Sequence, residues 1–171
     1  IYVLWWYSRR YKHILLFGNL TVSILTSLYI YNVFLFSDYS SVSFNHERFY
    51  VTITFVFFSF FLTLSREIIK DLENIKGDFT LDYRTIPVVY GEKSSKYLLS
   101  IVSLFTVAII YILLTGFDTG MMFYYYYFSI AVLLFFIIVL WKYDSNKYYN
   151  FLHNLLKFLI VLGVLSIVLI D

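Results

Sequence analysis

An all-α fold, a polytopic transmembrane helical bundle, is what the sequence predicts, and three observations predict it. Hydrophobic residues make up 61% of the 171 positions and charged residues only 14%, against roughly 45–50% and about 25% in soluble domains. The apolar residues fall in uncharged runs long enough to cross a bilayer, since about 20 residues at about 1.5 Å each cover a hydrocarbon layer of about 30 Å. The basic residues lie almost entirely on one side of the connectivity that those runs define. The 19 Phe and 18 Tyr exceed what one compact core buries, whereas lipid-facing and interfacial positions accept aromatic rings readily.

Spans are expected over about 14–37, 49–65, 97–117, 119–141 and 148–170, within a single membrane domain 1–171. The second is the shortest. Its aromatic stretch from Phe55 to Phe61 would also suit a buried strand, but an open strand edge leaves backbone groups unsatisfied in lipid, so a helix is predicted. The last run is interrupted only by His153 and Lys157; Lys157 is read first as snorkelling to an interface, with a polar lumen as the alternative.

Five spans make the connectors alternate sides. One side then holds eleven basic residues, in 9–12, 66–96 and 142–147, and the other holds Arg48 alone. By the positive-inside rule the eleven face the cytoplasm, which places the chain in the cytoplasmic membrane with the 65–96 loop inside. The first residues, Ile1 to Tyr7, read as the emerging end of an earlier apolar helix followed by headgroup-level charges, so the chain is expected to be a fragment lacking an N-terminal part. The absence of cysteine excludes a disulfide scaffold, and a net charge of +2 gives no argument for nucleic acid. No histidine spacing supports zinc or a catalytic triad.

Twelve of the 24 charged residues (13 basic, 11 acidic) lie between Arg66 and Lys96, in a connector far longer than the roughly 2–8 residues that join packed helices. Glu67, Asp71, Asn74 and Asp78 are spaced by four, three and four. On a helix continuing from the second span, that spacing puts all four on one face. Three hard oxygen donors on a face suit Mg²⁺, which commonly binds through one or two carboxylates and completes its shell with water and phosphate oxygens. Lys70, Lys76 and Arg84 would hold the anion that the metal bridges, which together describes a diphosphate site. The competing reading is a solvated loop helix in which Lys70 pairs with Glu73 and Glu73 with Lys76 at i,i+3. Pro87 is expected to force an extended stretch before the third span, and Ser94-Ser95 to cap that span.

The segment Arg66-Glu67-Ile68-Ile69-Lys70-Asp71 with Gly77-Asp78, followed by Arg84-Thr85-Ile86-Pro87 and Gly91, resembles the second Asp-rich motif of the UbiA superfamily of membrane prenyltransferases. The wording is closest to the branch of geranylgeranylglycerol-phosphate geranylgeranyltransferases. Tyr7 to Lys12 followed by Gly18-Asn19 resembles that family's entry to its fifth helix, so the five spans would be helices five to nine. Two departures stand out. The family's first motif, Asn-Asp-x-x-Asp, is not in this chain, and Asn74 occupies the place of the first Asp of the second motif, with Asp78 matching the other.

The resemblance implies Mg²⁺-dependent transfer of a long isoprenyl group from its diphosphate, with geranylgeranyl diphosphate the expected donor. The acceptor would be a glycerol phosphate derivative or an aromatic ring, in contact with membrane lipid and without nucleic acid. It implies Asp71 and Asp78 as catalytic, Asp71, Asn74 and Asp78 as metal ligands, and Lys12, Lys70 and Arg84 as diphosphate-binding residues. Aromatic faces from 55–61 and 124–127 are candidates to shield an allylic cation. The 171-residue chain alone is expected to lack turnover. The alternative function is non-catalytic: a degenerate relative or a transporter-like bundle.

Overall fold

The computed structural model describes residues 16–38, 46–117 and 120–166. Among them are six α-helices: α1 (Phe17–Asp38), α2 (His46–Glu73), α3 (Ile75–Thr80), α4 (Ile86–Gly116), α5 (Phe123–Lys142) and α6 (Asn146–Ser166). A 3₁₀ turn, Gly120–Met122, leads into α5. No strand occurs among the described residues, in keeping with the all-α expectation. Four helices are long and apolar enough to cross a membrane, within α2, α4, α5 and α6. The run expected as the first span coincides with α1, 22 residues whose one formal charge is the terminal Asp38.

α2 is the central element and packs on α1, α4 and α6, while α5 packs between α4 and α6. Its sequence explains the position: from Leu62 to Ile69 every side chain except Arg66 is buried, so neighbours surround it on all sides. Lipid tails are as apolar as the helices, so hydrophobicity gives no net reason for helices to associate there; close contact and hydrogen bonds do. Small buried residues supply the closeness, among them Ser103 and Thr106 on α4, Ser129 on α5 and Gly163 on α6. At Gly163 the Tyr125 ring lies against the α6 backbone and its hydroxyl donates to Leu159 O at 3.1 Å. The outer faces show the reverse of a soluble protein, with Tyr97, Ile101, Phe105, Tyr127, Ile138, Phe158 and Val164 all exposed.

Two sequence expectations about the third span are corrected. Pro87 does not force an extended stretch in front of the helix but sits in the first turn of α4, where no intrahelical partner exists for the N–H that proline lacks. Ser94 and Ser95 are not its cap either. The membrane-length part of α4 already begins directly after Gly91, ahead of both serines, and Ser95 Oγ donates back to Gly91 O at 3.0 Å. Gly91 is the real interruption: its φ of 80° is left-handed, a conformation that costs glycine nothing, and it kinks α4 between its first turn and the membrane-length remainder. Lys157 is exposed beside Phe158 on the outer face of α6.

The expected aromatic walls divide. Phe58 points inward and meets Tyr125 and Tyr126 edge-on at centroid distances of 6.1 and 6.2 Å, whereas Tyr124 and Tyr127 point out.

Candidate functional site

The helical face read from the sequence reaches past the membrane span. α2 ends at Glu73, yet Asn74 N–H donates to Lys70 O at 3.1 Å and Asp78 N–H to Asn74 O at 2.9 Å, so the i→i−4 pattern crosses the junction into α3. Glu67, Asp71, Asn74 and Asp78 therefore stay in register and all line one cleft of about 290 Å³. Asp82 then takes a φ of 53°, which a short polar side chain tolerates. The Tyr83 N–H reaches Asp78 O at 2.9 Å, closing α3 with the i→i−5 bond of a Schellman turn. This reversal carries Tyr83, Arg84 and Thr85 into the same cleft, and Gly18 and Asn19 of α1 complete it.

The charges are arranged unequally. Glu67 is 3% exposed and is neutralised by Arg66 Nη1 at 2.6 Å and Lys70 Nζ at 3.2 Å. A carboxylate so far from water is tolerated only with such partners. The pairing of Lys70 with Glu73 in the competing solvated-loop reading is thus replaced by pairing with Glu67, because the buried acid needs the cation more. Glu73 itself faces α6, where Asn150 Nδ2 donates to it at 2.6 Å and His153 Nδ1 lies at 3.0 Å. Asp71 accepts from Asn19 Nδ2 at 2.7 Å through one oxygen, Oδ2. Asn74 is exposed and spends its amide N–H on Lys70 O at 3.1 Å, which leaves its amide oxygen as a donor atom to a cation. The Thr85 hydroxyl is buried without a hydrogen-bond partner and is a further polar atom of the cleft wall.

Of the residues singled out by sequence, Asp71, Asn74, Asp78, Lys70 and Arg84 are brought together in this cleft; Lys12 lies outside the described residues. Asn19 and Thr85 were not singled out as site residues. Among the described residues no group of three or more His, Cys, Asp and Glu side chains is close enough to hold a metal ion. The donor set present, two carboxylates with an amide oxygen, nevertheless fits the one or two carboxylates through which Mg²⁺ commonly binds, with water and phosphate completing its shell.

A second polar cluster lies where α4 meets the α5–α6 turn. Lys96, 3% exposed, pairs with Asp144 and lies 5.6 Å from the Tyr149 ring centroid, and Tyr149 donates to Glu92 at 3.2 Å. The Lys96 ammonium, by hydrogen bonding and then by its charge, holds the Asp144 carboxyl below the usual carboxylate range.

Comparison with known proteins adds three findings. The model of the UbiA prenyltransferase family matches residues 1–156. A digeranylgeranylglyceryl phosphate synthase of Methanosphaera stadtmanae is 37% identical over 103 residues, covering 58% of this chain and 34% of that protein. Its counterpart in Methanobrevibacter smithii is 36% identical over 94 residues, 54% of this chain and 31% of the relative, and that of Methanothrix thermoacetophila is 31% identical over 117 residues, 68% and 40%. The chain thus spans about a third of the length of these relatives. No solved structure matches.

Proposed function

The chain belongs to the UbiA prenyltransferase family, and on that premise we propose that it contributes the diphosphate-binding cleft of a membrane enzyme that transfers an isoprenyl group to a glycerol-phosphate-type acceptor. The observation that carries the reading is the single cleft in which Asp71, Asn74 and Asp78 meet Lys70, Arg84 and Thr85. Acidic and basic side chains crowded at one end of membrane helices suit a ligand that is itself a polyanion and recruits a cation. The donor proposed is a long prenyl diphosphate such as geranylgeranyl diphosphate, and the relatives' names support a glyceryl phosphate acceptor over an aromatic ring.

In the proposed mechanism the carbon–oxygen bond between the prenyl group and its diphosphate breaks, the electron pair leaves with the diphosphate, and an acceptor hydroxyl oxygen bonds the prenyl carbon and gives up its proton to the released diphosphate. Bound Mg²⁺ would supply positive charge against the leaving group. Asp71 and Asp78, with the Asn74 amide oxygen, would hold that ion, and Asn19 orients Asp71 by occupying one of its oxygens. Arg84 would grip phosphate oxygens by paired N–H donors and Lys70 as a point charge. Glu67 keeps the Lys70 ammonium at the cleft wall, and the Thr85 hydroxyl, buried and unpartnered beside the cleft, would have to rotate to donate to a phosphate oxygen. Such donors act most strongly where charge develops as the bond breaks. We further propose that this chain alone is inactive, since the metal that a single acidic cluster would hold leaves much of the diphosphate charge uncompensated.

The test is Asp78→Asn in the intact protein, assayed for prenyl transfer from geranylgeranyl diphosphate across a Mg²⁺ titration. Loss of turnover is expected. Undiminished activity with an unchanged Mg²⁺ requirement would turn the reading to the second one, a non-catalytic membrane protein, which Asn74 favours because it brings an uncharged amide where the family motif has a carboxylate.

A further inference from the structure

Between the C-terminal half of α5 and the N-terminal half of α6 runs an open groove of about 620 Å³. Its walls are Phe135, Ile138 and Phe151, which are 47%, 63% and 48% exposed. The end at the α5–α6 turn is different in kind. There Lys142 and Lys147 flank Tyr143 and Tyr148, whose rings stack at 4.0 Å with an interplanar angle of 7°. Neither lysine belongs to an ion pair among the described residues. Lys142 Nζ lies 5.4 Å from the Tyr143 ring centroid, so the aromatic pair acts as a platform beneath that cation. The two amides in the groove are committed elsewhere: Asn154 Nδ2 donates to Asn150 Oδ1 at 2.8 Å and Asn150 Nδ2 to Glu73 at 2.6 Å.

We infer that this groove binds an anionic glycerophospholipid of the surrounding bilayer, its phosphate between Lys142 and Lys147 and an acyl chain along Phe135, Ile138 and Phe151. Three features select that occupant. The groove opens sideways from two helices long and apolar enough to cross a membrane, so lipid is what lies beside it. The polar end stands at the helix termini, the level of the headgroups, where amphipathic tyrosine rings belong. Seven residues separate Lys142 from Phe135 along α5, which gives the chain-binding part a length of roughly 10 Å. Two ammonium groups outside any ion pair among the described residues, the carboxylate of the intervening turn, Asp144, being paired with Lys96, complement a net negative headgroup, whereas a zwitterionic lipid brings its own cation to the same place.

The experiment is a lipid titration of the detergent-purified full-length protein followed by native mass spectrometry, with phosphatidylglycerol and phosphatidylcholine as probes. Phosphatidylglycerol is expected to be retained preferentially. Basic residues near an anionic lipid surface are worth about fivefold each in affinity, so K142Q/K147Q should weaken phosphatidylglycerol binding by roughly 20- to 30-fold and leave phosphatidylcholine unchanged. Ile138→Trp, at a solvent- or lipid-facing position that folding does not depend on, should fill the groove and reduce retention of both lipids. Equal retention by wild type and K142Q/K147Q would overturn the proposal. So would displacement of phosphatidylglycerol by geranylgeranyl diphosphate, which would make the groove a donor site. A photo-crosslinker at position 138 that captures polypeptide instead of lipid would likewise overturn it, by assigning the groove to protein.

Discussion

Replacing Gly163 by alanine tests how closely α5 and α6 are joined. A Cβ at this position would lie 2.5 Å from the Tyr125 hydroxyl oxygen and 3.0 Å from its Cζ. Tyr125 is 7% exposed, so its ring has little room to retreat. Relieving the contact means moving the ring or separating the helices, an overpacking cost of about 1–3 kcal/mol. If the ring turns, the hydroxyl also loses its bond to Leu159 O, worth about 0.6 kcal/mol between membrane helices. Alanine's better helix propensity returns up to about 1 kcal/mol, leaving a net loss of about 1–2 kcal/mol. Tyr125→Phe removes the nearest atom, so Gly163→Ala should cost about 1 kcal/mol less in that background, a coupling well above additivity error. Equilibrium unfolding by dodecyl sulfate in mixed micelles, followed by tryptophan fluorescence, measures all four corners of the cycle. Strict additivity, or a Gly163→Ala stability within about 0.3 kcal/mol of wild type, would refute the close approach.

Asn74→Asp should leave prenyl transfer equal or raise it in the intact protein, since it restores a carboxylate beside Asp71 and Asp78, whereas Lys70→Ala should raise the Michaelis constant for the prenyl diphosphate; steady-state kinetics distinguish the two. Lowering of the Asp144 carboxyl's pKa by Lys96 means that its contribution to stability is complete above the ordinary carboxylate range and is lost as pH falls through the lower folded-state value. Asp144→Asn should therefore flatten the acid limb of a stability–pH curve below about pH 4, read by thermal unfolding. Single cysteines at Asn74 and Asp118, in a chain that has none of its own, should label from opposite faces of sealed vesicles, and labelling from one face would refute the alternation of sides.

Helical character was legible in the sequence because a long uncharged run has few ways to satisfy its backbone in lipid. The sharing of one face by Glu67, Asp71, Asn74 and Asp78 was legible too, because it follows from helical periodicity and the junction at Asn74 preserves it. Pairings between distant helices were not. Asn19 reaching Asp71, His153 reaching Glu73 and Lys96 reaching Asp144 depend on which helices are neighbours, and periodicity within one helix carries no such information. Lys70 had acidic residues three positions away on both sides, at Glu67 and Glu73; only burial decides between them. Pro87 and Gly91 were visible as punctuation, but proline suits the start of a helix as well as its interruption, so their roles emerged only with the backbone.

α2 is a continuous helix of 28 residues, about 42 Å at the helical rise, and its far end carries Asp71 at the cleft. A stiff rod of that length is a lever. Between Phe49 and Asp71 it extends about 33 Å, so a tilt of about 5° sweeps the carboxylate by roughly 3 Å, the length of a hydrogen bond. Helices answer a mismatch between their apolar length and the hydrocarbon layer by changing tilt. A thinner or thicker membrane would in this way shift Asp71 against Asn19 of α1, its hydrogen-bond partner across the cleft at 2.7 Å, and so retune the site through the length of the helix.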